Sequence, residues 1–432
     1  MSRQPEALIF GAGALALGFL GPELYKDWAL TFIDIDAKKE LLSHLKDNGK
    51  YTVNIAGPFQ KAFEVPNVRG LNLNNPPELK EIIQRFSSSK LIFTSVGAAN
   101  LNSLVPIFCE GLSSCMEFQK RDSSAAPQND KKNVTLSTSA SLSVNSAKSL
   151  IYILCCENGR DIAMKFHTSL EVSLNRHLTS ECRISDTVMG RMCRVEPDIE
   201  SNKYLEPVYK GANWAVVAEP FFGFPIKRSL IKEEKLFKSP FQLKEDNVFE
   251  ALEDIKFFAH NGCHAFLGYL GFLKGYRYFG ELKEDRNLMG LAYEMLFNEA
   301  GKALITKHEI IDRSVYENYA IDLLRRLTCP YFNDSIDRAV RRPIEKLGPD
   351  ERLISGARFI LSQGIQPKIY TLSIAAAIKA GVNNKEISSD NIDEILLTYC
   401  KLTPEKDATL IELIKGSYKE ISRTGMSRLS NR

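Results

Sequence analysis

Four short apolar runs mark the first part of the chain: Ala7–Phe10, Ala29–Ile33, Leu91–Phe93 and Leu150–Cys156. Each is only a few residues long and stops abruptly at a polar or glycine residue, the pattern of strands buried in a parallel sheet. Amphipathic stretches such as Pro77-Glu-Leu-Lys-Glu-Ile-Ile-Gln-Arg-Phe86 separate them, so strands and helices alternate as a doubly wound sheet requires. From Asp246 onward the period becomes helical, with runs at Leu288–Leu304, Val315–Leu327, Ala357–Leu361, Tyr370–Ala380 and Ile392–Leu402. The pattern predicts α/β plus all-α: a sheet domain over residues 1–245 and a mostly α-helical domain over 246–432. A polar stretch at 117–149 interrupts the sheet domain and reads as an inserted surface loop, and the Arg- and Ser-containing end, 417–432, reads as a frayed tail.

The turn after the first run sharpens the picture to a Rossmann-type domain. Phe10-Gly11-Ala-Gly13-Ala14-Leu-Ala16 places two glycines between a strand and a helix start. Gly11 permits the tight turn, Gly13 lets the backbone approach a pyrophosphate, and Ala16 allows close helix packing, with Ala14 opening a helix whose N-terminus favours phosphate. The second run ends at Asp34, where an acid holds the ribose hydroxyls of NAD and repels the 2′-phosphate of NADP. The plainer reading of Asp34 is a helix N-cap. The third run leads through Thr94-Ser-Val96-Gly97 to Asn100, and the fourth ends at Glu157-Asn158. Ligands bind outside the carboxyl ends of such strands, so Val96, Gly97 and Asn100 are candidate cofactor neighbours.

Lys256-Phe-Phe-Ala-His-Asn261-Gly-Cys-His264 gathers an amine, an amide and an imidazole within one predicted helix. One face presenting all three could serve a ligand; the alternative is a polar helix face with a satisfied histidine. Composition sets the class. The 432 residues are 44% hydrophobic and 25% charged, ordinary globular usage for two domains. A net charge of +3 gives no reason to invoke nucleic acid or membrane. The nine cysteines are odd in number and form no disulfide framework, there is no secretory segment or membrane-length apolar run, and no metal-ligand spacing is present, so a cytoplasmic, metal-independent protein is expected.

The ordered blocks together resemble the polyol-specific long-chain dehydrogenases, and within them the mannitol-1-phosphate 5-dehydrogenases. The matching pieces are Phe10-Gly-Ala-Gly13, Gly18-Phe-Leu-Gly21, Thr94-Ser-Val-Gly97, Cys156-Glu-Asn158, the Lys256 block with Ala265 to Tyr276, and Asp337-Arg338 leading through Arg341-Arg-Pro to Lys346-Leu and Asp350-Glu-Arg352-Leu353. The resemblance implies a metal-independent hydride transfer with NAD, in a cleft between the two domains. Lys256 resembles the general base, Asn158 and Asn261 the pair holding the reacting oxygen, and His264 a residue that binds substrate or orients the lysine. Arg338 and Lys346 match substrate-contacting positions, and Arg341 or Arg342 could add a bidentate grip on a phosphate. A solvated basic loop is the alternative for that cluster.

Two departures bear on activity. Gly190, in Asp186-Thr-Val-Met-Gly190-Arg191, stands where relatives carry an acid that resembles a hydroxyl ligand, and Cys263 sets a thiol beside the catalytic block. Three functions follow as expectations. The first is interconversion of mannitol 1-phosphate and fructose 6-phosphate by a monomer. The second is a dehydrogenase of an unphosphorylated polyol or a hexuronate. The third is a non-catalytic nucleotide-binding protein.

Overall fold

The computed structural model describes residues 4–59, 61–124, 150–178, 182–200, 204–220 and 222–424. The chain divides into two compact units, Met1–Ile55 with Gln60–Leu243, and Ala56–Phe59 with Lys244–Arg432.

The first unit is built on strands β1 (Glu6–Phe10), β2 (Ala29–Asp34), β3 (Lys50–Ile55), β4 (Lys61–Pro66), β5 (Val68–Asn72), β6 (Leu91–Thr94), β7 (Ile151–Cys155), β8 (Cys182–Asp186), β9 (Cys193–Glu196) and β10 (Ala215–Ala218). Six of them form an all-parallel sheet in the order β5-β2-β1-β6-β7-β8. Relabelled among those six, the order is 3-2-1-4-5-6, the Rossmann topology with its switch point between β1 and β6. The apolar runs lack polar alternation because both faces are covered. Leu8, Phe10, Ile33, Ile92, Ile151 and Ile153 face a core with the helices Pro76–Phe86 and Ile162–Leu174, while Ala7, Ile9, Phe32, Phe93 and Leu154 face a second core. That second core is closed by a smaller sheet, β4-β3-β10-β9, through Tyr51, Val53, Val216 and Ala218. The Val105–Ser124 helix enters the expected insertion, and residues 125–149 of it lie outside the described residues, as does 425–432 of the expected tail.

The second unit is helical, as the period predicts. Its centre is the Lys368–Asn383 helix, buried without a break from Tyr370 to Ile378, and a helix apolar on every side belongs in a core. Two helical stretches of this unit carry a π-turn. Asp246–Asp254 and Gly262–Leu273 are joined through a π-turn, Ile255–Asn261, and Arg286–Glu294 and Lys302–Lys307 through another, Met295–Gly301. The predicted Ile392–Leu402 run stops at Thr398, because Lys401 turns left-handed ahead of Pro404, which starts the next helix. No described helix is long and apolar enough to cross a membrane.

Gly70 marks a backbone-to-backbone approach of helix and sheet in the first unit. A Cβ there would come within 2.3 Å of the Leu42 carbonyl oxygen and 2.6 Å of its Cα, both backbone atoms of the Lys39–Asn48 helix. Gly70→Ala is therefore expected to cost about 1–3 kcal/mol through forced displacement of that helix. Urea unfolding checks it, with an unchanged midpoint counting against this packing.

Candidate functional site

The glycine turn after β1 is held from three sides. Gly11 donates to the Ile33 carbonyl at 2.7 Å, Ser95 donates to the Phe10 carbonyl at 2.7 Å, and Ala12 donates to Asp34 Oδ2 at 2.7 Å. Gly11 has φ of 103°, and a Cβ there would lie 2.4 Å from the Ser95 carbonyl oxygen, so only glycine fits. At Gly13, and at Gly97 with φ of 86°, a Cβ would meet nothing within 4 Å. Glycine here leaves backbone bare to open space at the carboxyl ends of β1 and β6, the cradle a pyrophosphate needs. Asp34 closes β2 and couples to the turn through Ala12, with its other oxygen taking the Ile35 N–H at 2.8 Å. Ala14 begins the helix, and Ala16 is fully buried.

Glu157 shapes the β6 edge and was not singled out from sequence. Its carboxylate accepts from Thr94 Oγ1 at 2.7 Å and the Val96 N–H at 3.1 Å, and burial raises its pKa against those bonds. The signal lay in the Cys156-Glu-Asn158 block. Asn100 folds back to donate to the Val96 carbonyl at 2.9 Å, so that amide hydrogen holds the turn. Asn158 is exposed at the carboxyl end of β7.

The helix that follows the glycines carries a π-turn, Ala16–Leu20, in which Gly21 donates to the Ala16 carbonyl. The next residue, Pro22, has no N–H to offer Leu17. The buried Tyr51 hydroxyl donates to the Leu17 carbonyl instead, at 2.7 Å, and Arg191 donates to that of Gly18 at 3.3 Å while pairing with Glu23 at 2.7 Å. The segment around Gly190 thus anchors this helix through Arg191.

In the second unit, Lys256, Asn261 and His264 lie on the helix through Ile255–Asn261. A regular α-helix would set Lys256 about 80° from His264 around the axis. The π-turn takes up one residue, so the preceding chain rotates by about 100° and the offset shrinks to about 20°. The spacing of five and three behaves as four and three, a single stripe. Lys256 and His264 are half-buried and Asn261 is buried. Cys263 faces inward, fully buried, and burial pushes its thiol far above the ordinary range.

His264 is oriented by Asp334, a residue absent from the sequence expectations. Its Nε2 lies 3.2 Å from Asp334 Oδ2, and its ring stacks on Phe279 with centroids 4.7 Å apart. Burial holds its pKa below the usual value even though Asp334 opposes that. A neutral imidazole donating from Nε2 keeps Nδ1 as an acceptor. Asp334 also takes a two-pronged grip from Arg338, Nε at 2.7 Å and a terminal nitrogen at 2.5 Å. Burial alone would raise the Asp334 pKa, but His264 and Arg338 overcome it and hold the carboxyl far below its usual range. The Asp334-x-x-x-Arg338 spacing was the available sequence signal.

Lys346 joins this cluster. Its Nζ donates to the Ala339 carbonyl and sits 5.7 Å from the centroid of the Tyr269 ring. Burial, then Arg352 and Arg338, lower its pKa to about 8. Arg341 does not join: it is exposed at the turn, and Arg342 reaches Glu345 at 3.5 Å. Among the described residues no acidic, histidine or cysteine group is arranged to hold a metal.

Residues 5–125 match the model of the mannitol dehydrogenase Rossmann domain, and residues 249–398 that of the mannitol dehydrogenase C-terminal domain. The chain belongs to the mannitol dehydrogenase family. It is 27% identical to the mannitol-1-phosphate 5-dehydrogenase of Lacticaseibacillus casei, across 97% of this chain and 100% of that one. The Clostridium acetobutylicum enzyme of the same name is 29% identical, across 81% of this chain and 80% of its own. Among solved structures, a Pseudomonas fluorescens mannitol 2-dehydrogenase in ternary complex with NAD and D-mannitol shares the fold, with a TM-score of 0.74 at 13% identity over 99% of this chain and 94% of that one. A substrate-free D-sorbitol dehydrogenase superposes with a TM-score of 0.68 at 14% identity, over 99% and 95%.

Replacing Asp334 by Asn should lower stability at pH 7 by about 2–3 kcal/mol, below the fully buried case because Arg338 is 39% exposed. The native carboxyl titrates below its unfolded value near 3.9, so its contribution is complete above that value and is lost as pH falls towards the folded pKa. Urea midpoints of the two proteins should therefore differ most at neutral pH and converge below about pH 4. A gap that persists unchanged into acid would contradict the ion-pair account.

Proposed function

We propose that this protein is an NAD-dependent oxidoreductase interconverting mannitol 1-phosphate and fructose 6-phosphate, acting as a monomer without a metal. The observation that carries the substrate is the near full-length similarity to mannitol-1-phosphate 5-dehydrogenases, joined by a partly buried group of cations, Arg338, Lys346 and Arg352, on the unit that bears Lys256. Bare backbone at Gly13 and Gly97, with Asp34 closing β2, fits the pyrophosphate and ribose of NAD, with Ala14, Val96 and Asn100 completing the edge. When bound, NAD accepts a hydride from the alcohol carbon or NADH returns it.

The chain's own groups handle the proton and the charge. Lys256 takes the hydroxyl proton of the alcohol at Nζ, or returns it in the reducing direction. The Asn158 and Asn261 amides donate to the oxygen as it gains charge, without introducing an ion. His264 accepts from a substrate hydroxyl or from Lys256 through Nδ1, held by Asp334 on its other nitrogen. Lys346 and Arg338 bind the anionic end.

A second reading, reduction of an unphosphorylated ketose or a hexuronate, is favoured by the exposure of Arg341 and Arg342. Fructose 6-phosphate, fructose, fructuronate and tagaturonate, compared by NADH oxidation, separate the two. The phosphate reading expects turnover confined to fructose 6-phosphate, and preference for any of the others overturns it. Lys346 carries its charge below about pH 8. Rising pH through that value should then raise KM for fructose 6-phosphate, and a flat KM between pH 7 and 9 would remove Lys346 from phosphate binding. Lys256→Met should lose at least about a hundredfold in kcat with NADH affinity kept. Turnover unchanged in that variant would refute the lysine base.

A further inference from the structure

The π-turn that aligns Lys256 with His264 is held by groups outside its own helix. The Tyr370 hydroxyl donates to the Phe258 carbonyl, inside that turn, at 2.7 Å. The tyrosine is fully buried, and glycines wall its hydroxyl end: a Cβ at Gly262 would lie 2.2 Å from Tyr370 Oη, and one at Gly356 2.5 Å. Burial raises its pKa far beyond the usual value, so the phenol remains a donor throughout the working range. The Tyr370 N–H is in turn accepted by Glu299 Oε2 at 3.0 Å, and the neighbouring Ile369 N–H by Oε1 at 2.7 Å. Glu299 is itself buried within the second π-turn, Met295–Gly301, whose Leu296 carbonyl takes the Tyr316 hydroxyl at 2.9 Å.

We propose that Tyr370 and Glu299 are positioning residues for the reaction, acting in series: Glu299 fixes the start of the Lys368–Asn383 helix, and Tyr370 from there holds the wide turn that brings Lys256 onto the Asn261 and His264 stripe. The proposal rests on Lys256 as the proton-transfer group. A wide turn leaves a carbonyl without its usual helical donor, and a buried acceptor with no partner is unfavourable. Without the phenol, the segment gains by tightening into a regular helix, which carries Lys256 about 100° around the axis. The ligand contacts of Arg338, Lys346 and the nucleotide edge are untouched by that rotation. The defect therefore belongs in the chemical step and not in binding.

The test uses the full chain with Tyr370→Phe, Glu299→Gln, the double variant and Lys256→Met, measuring kcat, KM for fructose 6-phosphate, NADH affinity by fluorescence and amide hydrogen exchange over 255–262. Tyr370→Phe should lower kcat roughly 10- to 100-fold, the scale expected from an orphaned buried acceptor, with KM and NADH affinity within about twofold. Exchange in the 255–262 segment should change while the rest of the unit stays protected. Glu299→Gln should lose less, and the double variant no more than Tyr370→Phe, because the two act along one path. Should Tyr370→Phe fail to fold, Glu299→Gln with its exchange pattern carries the test. Full kcat in Tyr370→Phe, or losses that multiply in the double variant, overturns the series. An inactive Lys256→Met beside a fully active Tyr370→Phe rejects the positioning role alone, whereas an active Lys256→Met rejects the lysine reading on which it rests.

Discussion

Among the described residues, a buried tyrosine hydroxyl donates to a helix carbonyl inside a π-turn in three places, from Tyr51 to Leu17, Tyr370 to Phe258 and Tyr316 to Leu296. Such a bond supplies a donor to a helix carbonyl in a dry interior, where an unmet one would be costly. Each also sits against a glycine that leaves room for the ring: a Cβ at Gly21, Gly262 or Gly301 would come within 1.8, 2.2 and 2.4 Å of the respective tyrosine. Two of these turns lie beside the proposed ligand sites, on the helix after the Gly11 turn and on the Lys256 helix. In both, the extra residue changes which side chains share a face, so the functional geometry depends on bonds made far away in sequence.

Around His264, the electrostatics of the second unit turn on the buried carboxylate of Asp334. Asp334 is ionised because His264 and Arg338 both answer it, and it thereby fixes the imidazole while engaging the Arg338 guanidinium. Beside it, Lys346 has its pKa lowered to about 8, first by burial and then by the nearby Arg352 and Arg338. A cation held at that cost to its own protonation is a receptive partner for an anion, since a bound phosphate would restore the charged form.

The edge of the first unit at the carboxyl ends of β1 and β6 combines glycines and main-chain amides with two acids, Asp34 at the end of β2 and the buried Glu157 just after β7. Such an edge suits a ligand whose own phosphates bring the charge, and the amides at a helix start answer it.

Much of this architecture is present in the linear pattern. Continuous short apolar runs meant strands covered on both faces, and the helical period after Asp246 meant a helical unit, because burial imposes those repeats locally. The glycine turn was legible for a related reason: a left-handed φ and a close backbone approach at Gly11 admit few residue types. Sequence alone also placed Lys256, Asn261 and His264 near one another on one helix. It also made readable that one face could carry all three, but not the π-turn by which it does so, which is held by Tyr370, more than a hundred residues later. Nor could it tell which cations of the Arg338 to Lys346 cluster face inward, or that Asp334, Glu157 and Glu299 hold the site in shape. Those outcomes are decided by burial and by hydrogen bonds between distant segments, which only the folded chain brings within reach.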